Sequence, residues 1–260
     1  MADADALIDP SAPGLPTALP PDDASVMSLV DHLGELRGRL VRAIIALAVT
    51  STIAFIWLAK PVRTLLIDLL PLAPGQTQVH VQVLGPGDAF IIQMKISIVI
   101  GVILAMPILL YQVWAFVSPG LTDPERRTAR PWVPLALFFF ALGVTIAYVI
   151  LPFALTFLLA FTDDVLVADF AAGPYFDFVT TMFLVFGLIM EFPILLYGLS
   201  RVGIVTSAKL RESRRMIILG IAIFAAVATP GGDLVSPIVL GTTMYILFEL
   251  TVLFIRRSGK

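Results

Sequence analysis

No cysteine occurs in the 260 residues, which removes disulfides, thiolate metal sites and cysteine nucleophiles at once. Histidine is nearly as scarce: His32 and His80 are the only two, so a histidine-based metal centre is not expected. Charge is thin as well, at 14% of residues against 58% hydrophobic, with a mean hydropathy of +0.97. A soluble domain of this length has nowhere to hide so much apolar surface, and the long uncharged runs mark a polytopic membrane protein. The net charge of −2 says little, because in such a chain the position of each charge outweighs the sum.

Residues 1–26 stand apart. They carry five prolines and five aspartates, with no basic n-region and no long apolar run. That composition predicts a disordered, acidic, proline-rich tail and fits neither a signal peptide nor an arginine-rich transit peptide. Met27 is a candidate alternative start. Residues 27–260 are then expected to form one membrane domain.

Six apolar stretches follow, at 43–59, 96–117, 132–161, 178–200, 216–229 and 237–255. Against a hydrocarbon core of about 30 Å the middle ones are ample. The fifth reaches only about 21 Å at 1.5 Å per residue, which implies local bilayer thinning or burial among other helices. Fourteen of the seventeen basic residues fall before span one, between spans two and three, around the loop between four and five, or after span six. The opposite loops hold Lys60 and Arg63 but are otherwise acidic, with Asp68, Asp88, Asp163, Asp164, Asp169, Asp177 and Asp233. Positive-inside asymmetry therefore predicts both termini in the cytoplasm. Pro107, Pro134, Pro152 and Pro193 lie within or near the ends of spans, which predicts kinked helices around a concavity. No internal repeat is visible, contrary to the usual secondary-transporter architecture.

Four segments carry polar chemistry. In "SLVDHLGELRGRL", Ser28 to Leu40, the leucines Leu29, Leu33, Leu36 and Leu40 share one helix face. Ser28 is a candidate N-cap, and the amphipathic segment is expected to lie along the membrane surface. Its Glu35 and Arg39 also make an ordinary i, i+4 pair. In "QVWAFVSPGLTDPERR", Gln112 to Arg127, Asp123, Pro124 and Glu125 read as N-cap, N1 and N2 of a short helix. "FGLIMEFPILLY" sets Glu191 in the middle of span four, where an ionisable group costs a few kcal/mol or more if lipid surrounds it. "TPGGDLVSP" places Asp233 in the turn before span six, where an aspartate is commonly a cap.

Taken together, "HLGELRGRL", "YQVWAFVSPGLTDPERR", "FGLIMEFP" and "TPGGD…S" resemble the TatC family, in that order, across 31–255. The resemblance implies an all-α membrane protein, a single curved, glove-like domain of six transmembrane helices with short fifth and sixth spans. It implies the core receptor subunit of the twin-arginine protein translocase, in the cell inner membrane, working without the Sec machinery on the proton-motive force. The implied partners are twin-arginine signal peptides of folded substrates, TatA- and TatB-like single-span proteins, other TatC copies and membrane lipid, with no nucleic acid. No cofactor, metal or catalytic residue is implied. Carried over by residue, Glu35 and Glu125 match the acidic positions credited with holding the paired arginines, with Arg37, Phe116, Arg126 and Arg127 beside them. Glu191 matches an intramembrane glutamate and Asp233 a family aspartate of the outer loop; at its depth Glu191 is expected to offer a polar contact to a partner's transmembrane helix. "TPGGD" is one residue longer than the "TPPD" of some relatives, and Pro237 stands where a polar residue can occur; both bear on that loop alone.

Two rivals come from the residues alone. Lys95, Glu191 and Glu249 are the full charges inside the spans and offer a proton-coupled transporter or channel with Glu191 as relay. Asp177 and Asp233 suggest an intramembrane aspartyl protease, but Pro230 stands where the G-x-G-D form needs glycine, and both aspartates lie at span ends, whereas a dyad must share a site.

Overall fold

The computed structural model describes residues 29–71, 81–120, 126, 131–161, 170–201, 205–229 and 233–257; the tail expected at 1–26 lies outside them. In chain order the helices are α1 (Leu29–Ile53), α2 (Ala59–Asp68), α3 (Asp88–Val117), α4 (Trp132–Leu159), α5 (Ala172–Ile189), α6 (Phe192–Arg201), α7 (Ser207–Glu212), α8 (Arg214–Ala228) and α9 (Val235–Arg257). A π-helical turn, Ala54–Leu58, joins α1 to α2. Five helical stretches are long and apolar enough to cross a membrane: Gly34–Asp68, Asp88–Val117, Trp132–Leu159, Ala172–Ser200 and Val235–Arg257. The fifth apolar stretch forms α8, whose 15 residues rise only about 22 Å, so it falls short of a full hydrocarbon core as its sequence predicts.

The amphipathic start of the chain departs from expectation. Residues 29–42 do not form a separate surface helix; they continue unbroken into the first span as α1. Gly34 and Gly38 interrupt the helix only as weak formers, and no proline follows until Pro61. Proline acts unevenly across the fold. Pro107 and Pro152 lie inside uninterrupted helices. Pro61, the third residue of α2, has no N–H for the carbonyl of Trp57, and the π turn sits immediately before it. Gln93 on α3 donates to the Phe55 carbonyl in that turn at 3.0 Å. Pro193 likewise leaves the Ile189 carbonyl without its donor, and the fourth span breaks there into α5 and α6.

Glycine sets the closest helix crossings. A Cβ on Gly101 of α3 would lie 2.1 Å from Ser51 Oγ and 2.8 Å from the Ser51 backbone on α1. Thr50 Oγ1 uses this proximity to donate to the Gly101 carbonyl at 2.8 Å. A Cβ on Gly143 of α4 would lie 2.4 Å from the Phe186 carbonyl oxygen on α5. Around the α4–α5 crossing the core fills with Phe176, Met182, Phe186 and Leu151, and Phe248 and Leu240 of α9 extend it. At the opposite end from the N-terminus, Val81–Gln82 and Phe170–Ala171 pair as a short parallel ladder, tying the connection before α3 to the one before α5. The Tyr175 hydroxyl donates to the Leu66 carbonyl at that end.

Candidate functional site

Successive spans alternate in direction, so the start of α1, the end of α3, the start of α4, the end of α6 and the end of α9 share one end of the bundle. Glu35, Arg37, Phe116 and Arg126 therefore lie at that end. The α1–α3 register adds a level: Thr50 meets Gly101, and fifteen residues back on α1 and fifteen on along α3 reach Glu35 and Phe116. Arg37 and Arg126 are exposed and Phe116 is half-buried. Glu125 and Arg127 lie outside the described residues.

Glu35 is engaged but not saturated. Its Oε1 accepts from Arg39 one turn on, through both Nε and Nη2. Among the described residues its Oε2, which is buried, has no hydrogen-bond partner, and neither has Oε1 of Gln112 on α3. An unmade hydrogen bond at a buried acceptor costs roughly 1–3 kcal/mol, which an added donor recovers. Gln112 stands in the "YQVWAF" motif, yet an amide in an otherwise apolar run gives no sign in sequence that its oxygen will be stranded.

The three intramembrane charges separate. Lys95 pairs with Asp177 across α3 and α5, and Glu249 on α9 pairs with Arg214 at the start of α8. Glu191 pairs with nothing among the described residues, and its Oε1 is buried without a partner. It occupies the break between α5 and α6. Its N–H donates to the Leu188 carbonyl at 3.1 Å, and its carbonyl accepts from Ile194 and Leu195, both at 3.1 Å. The N–H and carbonyl of Glu191 itself are therefore satisfied without its side chain, while the Ile189 carbonyl freed by Pro193 takes no hydrogen bond from it. Asp233 at the opposite end is buried, and its Oδ2 accepts from the Ser236 N–H at 2.6 Å, so it caps α9. Its Oδ1 and the Ser236 hydroxyl have no partners among the described residues. No group of three or more metal-ligating side chains occurs among the described residues.

These features define a multi-pass α-helical membrane protein whose fourth span carries a carboxyl that is unpaired among the described residues. The family model for TatC, the Sec-independent protein translocase protein, matches residues 31–242. The chain belongs to the TatC family. It is 37% identical over 254 residues to the Sec-independent protein translocase protein TatC of Corynebacterium kroppenstedtii, covering 88% of this chain and 61% of that one. It is also 34% identical to TatC of Aquifex aeolicus, covering 87% of this chain and 93% of that protein. The fold is similar to a crystal structure of the twin arginine translocase receptor TatC in DDM, with TM-score 0.75 and 32% identity, over 86% of this chain and 99% of that one. The all-α membrane fold expected from the sequence is thus the fold observed.

Proposed function

We propose that this chain is the receptor and core subunit of a twin-arginine translocation system in the cytoplasmic membrane. It binds twin-arginine signal peptides at its cytoplasmic end and, with TatA- and TatB-like single-span partners and other copies of itself, exports folded proteins on the proton-motive force. It catalyses no covalent reaction. The observation that carries this reading is the stranded Glu35 Oε2, at the level of Phe116 and at the same end as the stranded Gln112 Oε1. Both are acceptors, and an incoming guanidinium is a fork of donors that fits a carboxylate bidentately. Arg39 holds the other Glu35 oxygen and orients the carboxylate. Glu125, Arg126 and Arg127 complete the site in this reading.

The transporter reading loses support from the ion pairs. Lys95 and Glu249 each have a partner on a neighbouring helix, so they stabilise the bundle without forming a chain of exchangeable protons with Glu191.

Glu35→Gln and Glu125→Gln are each expected to weaken crosslinking of a twin-arginine peptide, by the roughly 1.5–3 kcal/mol of a hydrogen bond to a charged group. Protein levels in the membrane stay at those of the parent. A double variant that binds as tightly as the parent reduces both glutamates to helix-start residues. Orientation is checked separately: with no native cysteine, Thr128→Cys and Ala208→Cys label from the cytoplasm and Ala168→Cys from outside. Labelling of Ala168→Cys from the cytoplasm overturns the orientation and the site with it.

A further inference from the structure

The end of the bundle that carries Glu35 also holds a cavity with a different chemistry. It encloses about 570 Å³ between the start of α4, the middle of α6 and the last turns of α9, within the roughly 300–1,000 Å³ of sites that enclose a small ligand. Its walls are Leu135, Phe139, Ile194, Leu250 and Phe254, and Phe254 is 61% exposed at its edge. The buried Thr251 in its wall is already satisfied, its hydroxyl donating to the Leu247 carbonyl at 2.7 Å. The interior therefore asks for hydrocarbon. The rim does not: Trp132 and Tyr197 meet there edge to face with ring centroids 4.5 Å apart, and Arg257 lies beside them on the last turn of α9, next to Arg256. Tryptophan and tyrosine settle at the headgroup level of a bilayer, and basic groups at such a level attract anionic headgroups. Among the described residues no carboxylate pairs with Arg257 or Arg256.

We propose that this cavity is a binding site for one anionic phospholipid, an acyl chain filling the apolar groove and the phosphate resting on Arg257. Apolar depth, aromatic collar and exposed guanidinium succeed one another in the order of chain, glycerol and headgroup. A neutral lipid would satisfy the groove but not the rim. The inference needs only that the helices span a bilayer, and it stands or falls separately from signal-peptide recognition.

The test uses the full chain carrying Trp57→Phe and Trp114→Phe, so that Trp132 is the sole fluorophore of the three tryptophans. The protein is reconstituted in phosphatidylcholine vesicles containing a small fraction of brominated phosphatidylglycerol, or the same fraction of brominated phosphatidylcholine. Quenching of Trp132 is expected to report a preference of about fivefold for the anionic lipid, the value of one basic group at the membrane surface. Arg257→Gln removes the preference while Arg257→Lys keeps it, which separates headgroup binding from a folding role. Ile194→Phe, which narrows the groove, lowers quenching by both lipids. Equal quenching by the two lipids in the parent overturns the proposal, as does a preference that survives Arg257→Gln. Leu250→Cys provides the remaining outcomes: a disulfide between two copies, or a crosslink to a single-span partner that persists in excess phosphatidylglycerol, assigns the groove to a protein and overturns it equally.

Discussion

Glu191→Leu is expected to abolish export of a folded reporter and assembly with single-span partners, yet leave signal-peptide crosslinking intact. Glu191→Gln is expected to retain part of the export. Because Pro193 offers no N–H to the Ile189 carbonyl, the fourth span breaks, and Glu191 falls in the break with its own backbone fully bonded to Leu188, Ile194 and Leu195. The side chain makes no hydrogen bond to the freed Ile189 carbonyl, and its Oε1 is left buried and unpartnered among the described residues. A polar group stranded at membrane depth gains about 0.6–2 kcal/mol from a hydrogen bond to a neighbouring helix, and a partner's polar side chain in lipid has the same need. An amide makes such a bond and leucine does not. If the group instead relays protons, Glu191→Gln is as inactive as Glu191→Leu, since an amide cannot cycle a proton. If it only packs, Glu191→Leu assembles and exports normally. Peptide crosslinking, partner co-purification and export, measured on both variants, distinguish the three.

The second large effect is structural and reverses sign between two glycines. Gly143→Ala places a methyl 2.4 Å from the Phe186 carbonyl oxygen and 2.7 Å from Met190 Cγ. The oxygen belongs to helix backbone, so α4 and α5 have to part. Overpacking of this kind costs about 1–3 kcal/mol, and more where backbone must move. Gly220→Ala, in α8, meets nothing within 4 Å and replaces a weak helix former by a strong one, a gain of about 0.5–1 kcal/mol. Thermal unfolding of the purified protein in detergent reads both. The midpoint falls by several degrees for Gly143→Ala and holds or rises for Gly220→Ala. Equal midpoints contradict the described α4–α5 contact.

The contrast between these glycines also marks what the sequence makes legible. Hydropathy alone delimits the apolar stretches, because a bilayer imposes length and polarity on each segment independently of its neighbours. The short α8 is visible on that ground. Which glycine faces a neighbouring carbonyl is a property of helix pairs, and nothing local separates Gly143 from Gly220. The same limit applies to charge. Lys95, Glu191 and Glu249 look alike as lone charges in apolar runs, but their partners Asp177 and Arg214 lie 82 and 35 residues away. Only the fold shows that Glu191 alone of the three has no pair among the described residues. Proline is intermediate: its chemistry predicts a disturbed helix, yet Pro61 and Pro193 border disturbances while Pro107 and Pro152 lie in continuous helix. Of the proposed peptide site, Glu35 and its Arg39 pair are readable from an i, i+4 spacing, whereas the stranded Oε2 and the Gln112 oxygen depend on the α1–α3 packing.

The central claim is arginine recognition by the end of the bundle that carries Glu35. It is tested most directly by binding of a labelled signal peptide to the purified chain, comparing a twin-arginine sequence with the same peptide carrying two lysines. A guanidinium fork meets carboxylate and amide oxygens with paired donors, whereas an ammonium offers a point charge. The account predicts that the twin-arginine peptide binds at least about tenfold more tightly, the equivalent of one charge-assisted hydrogen bond, and that Glu35→Gln erases most of the difference. Equal affinity for the two peptides, or a preference untouched by Glu35→Gln, would contradict it.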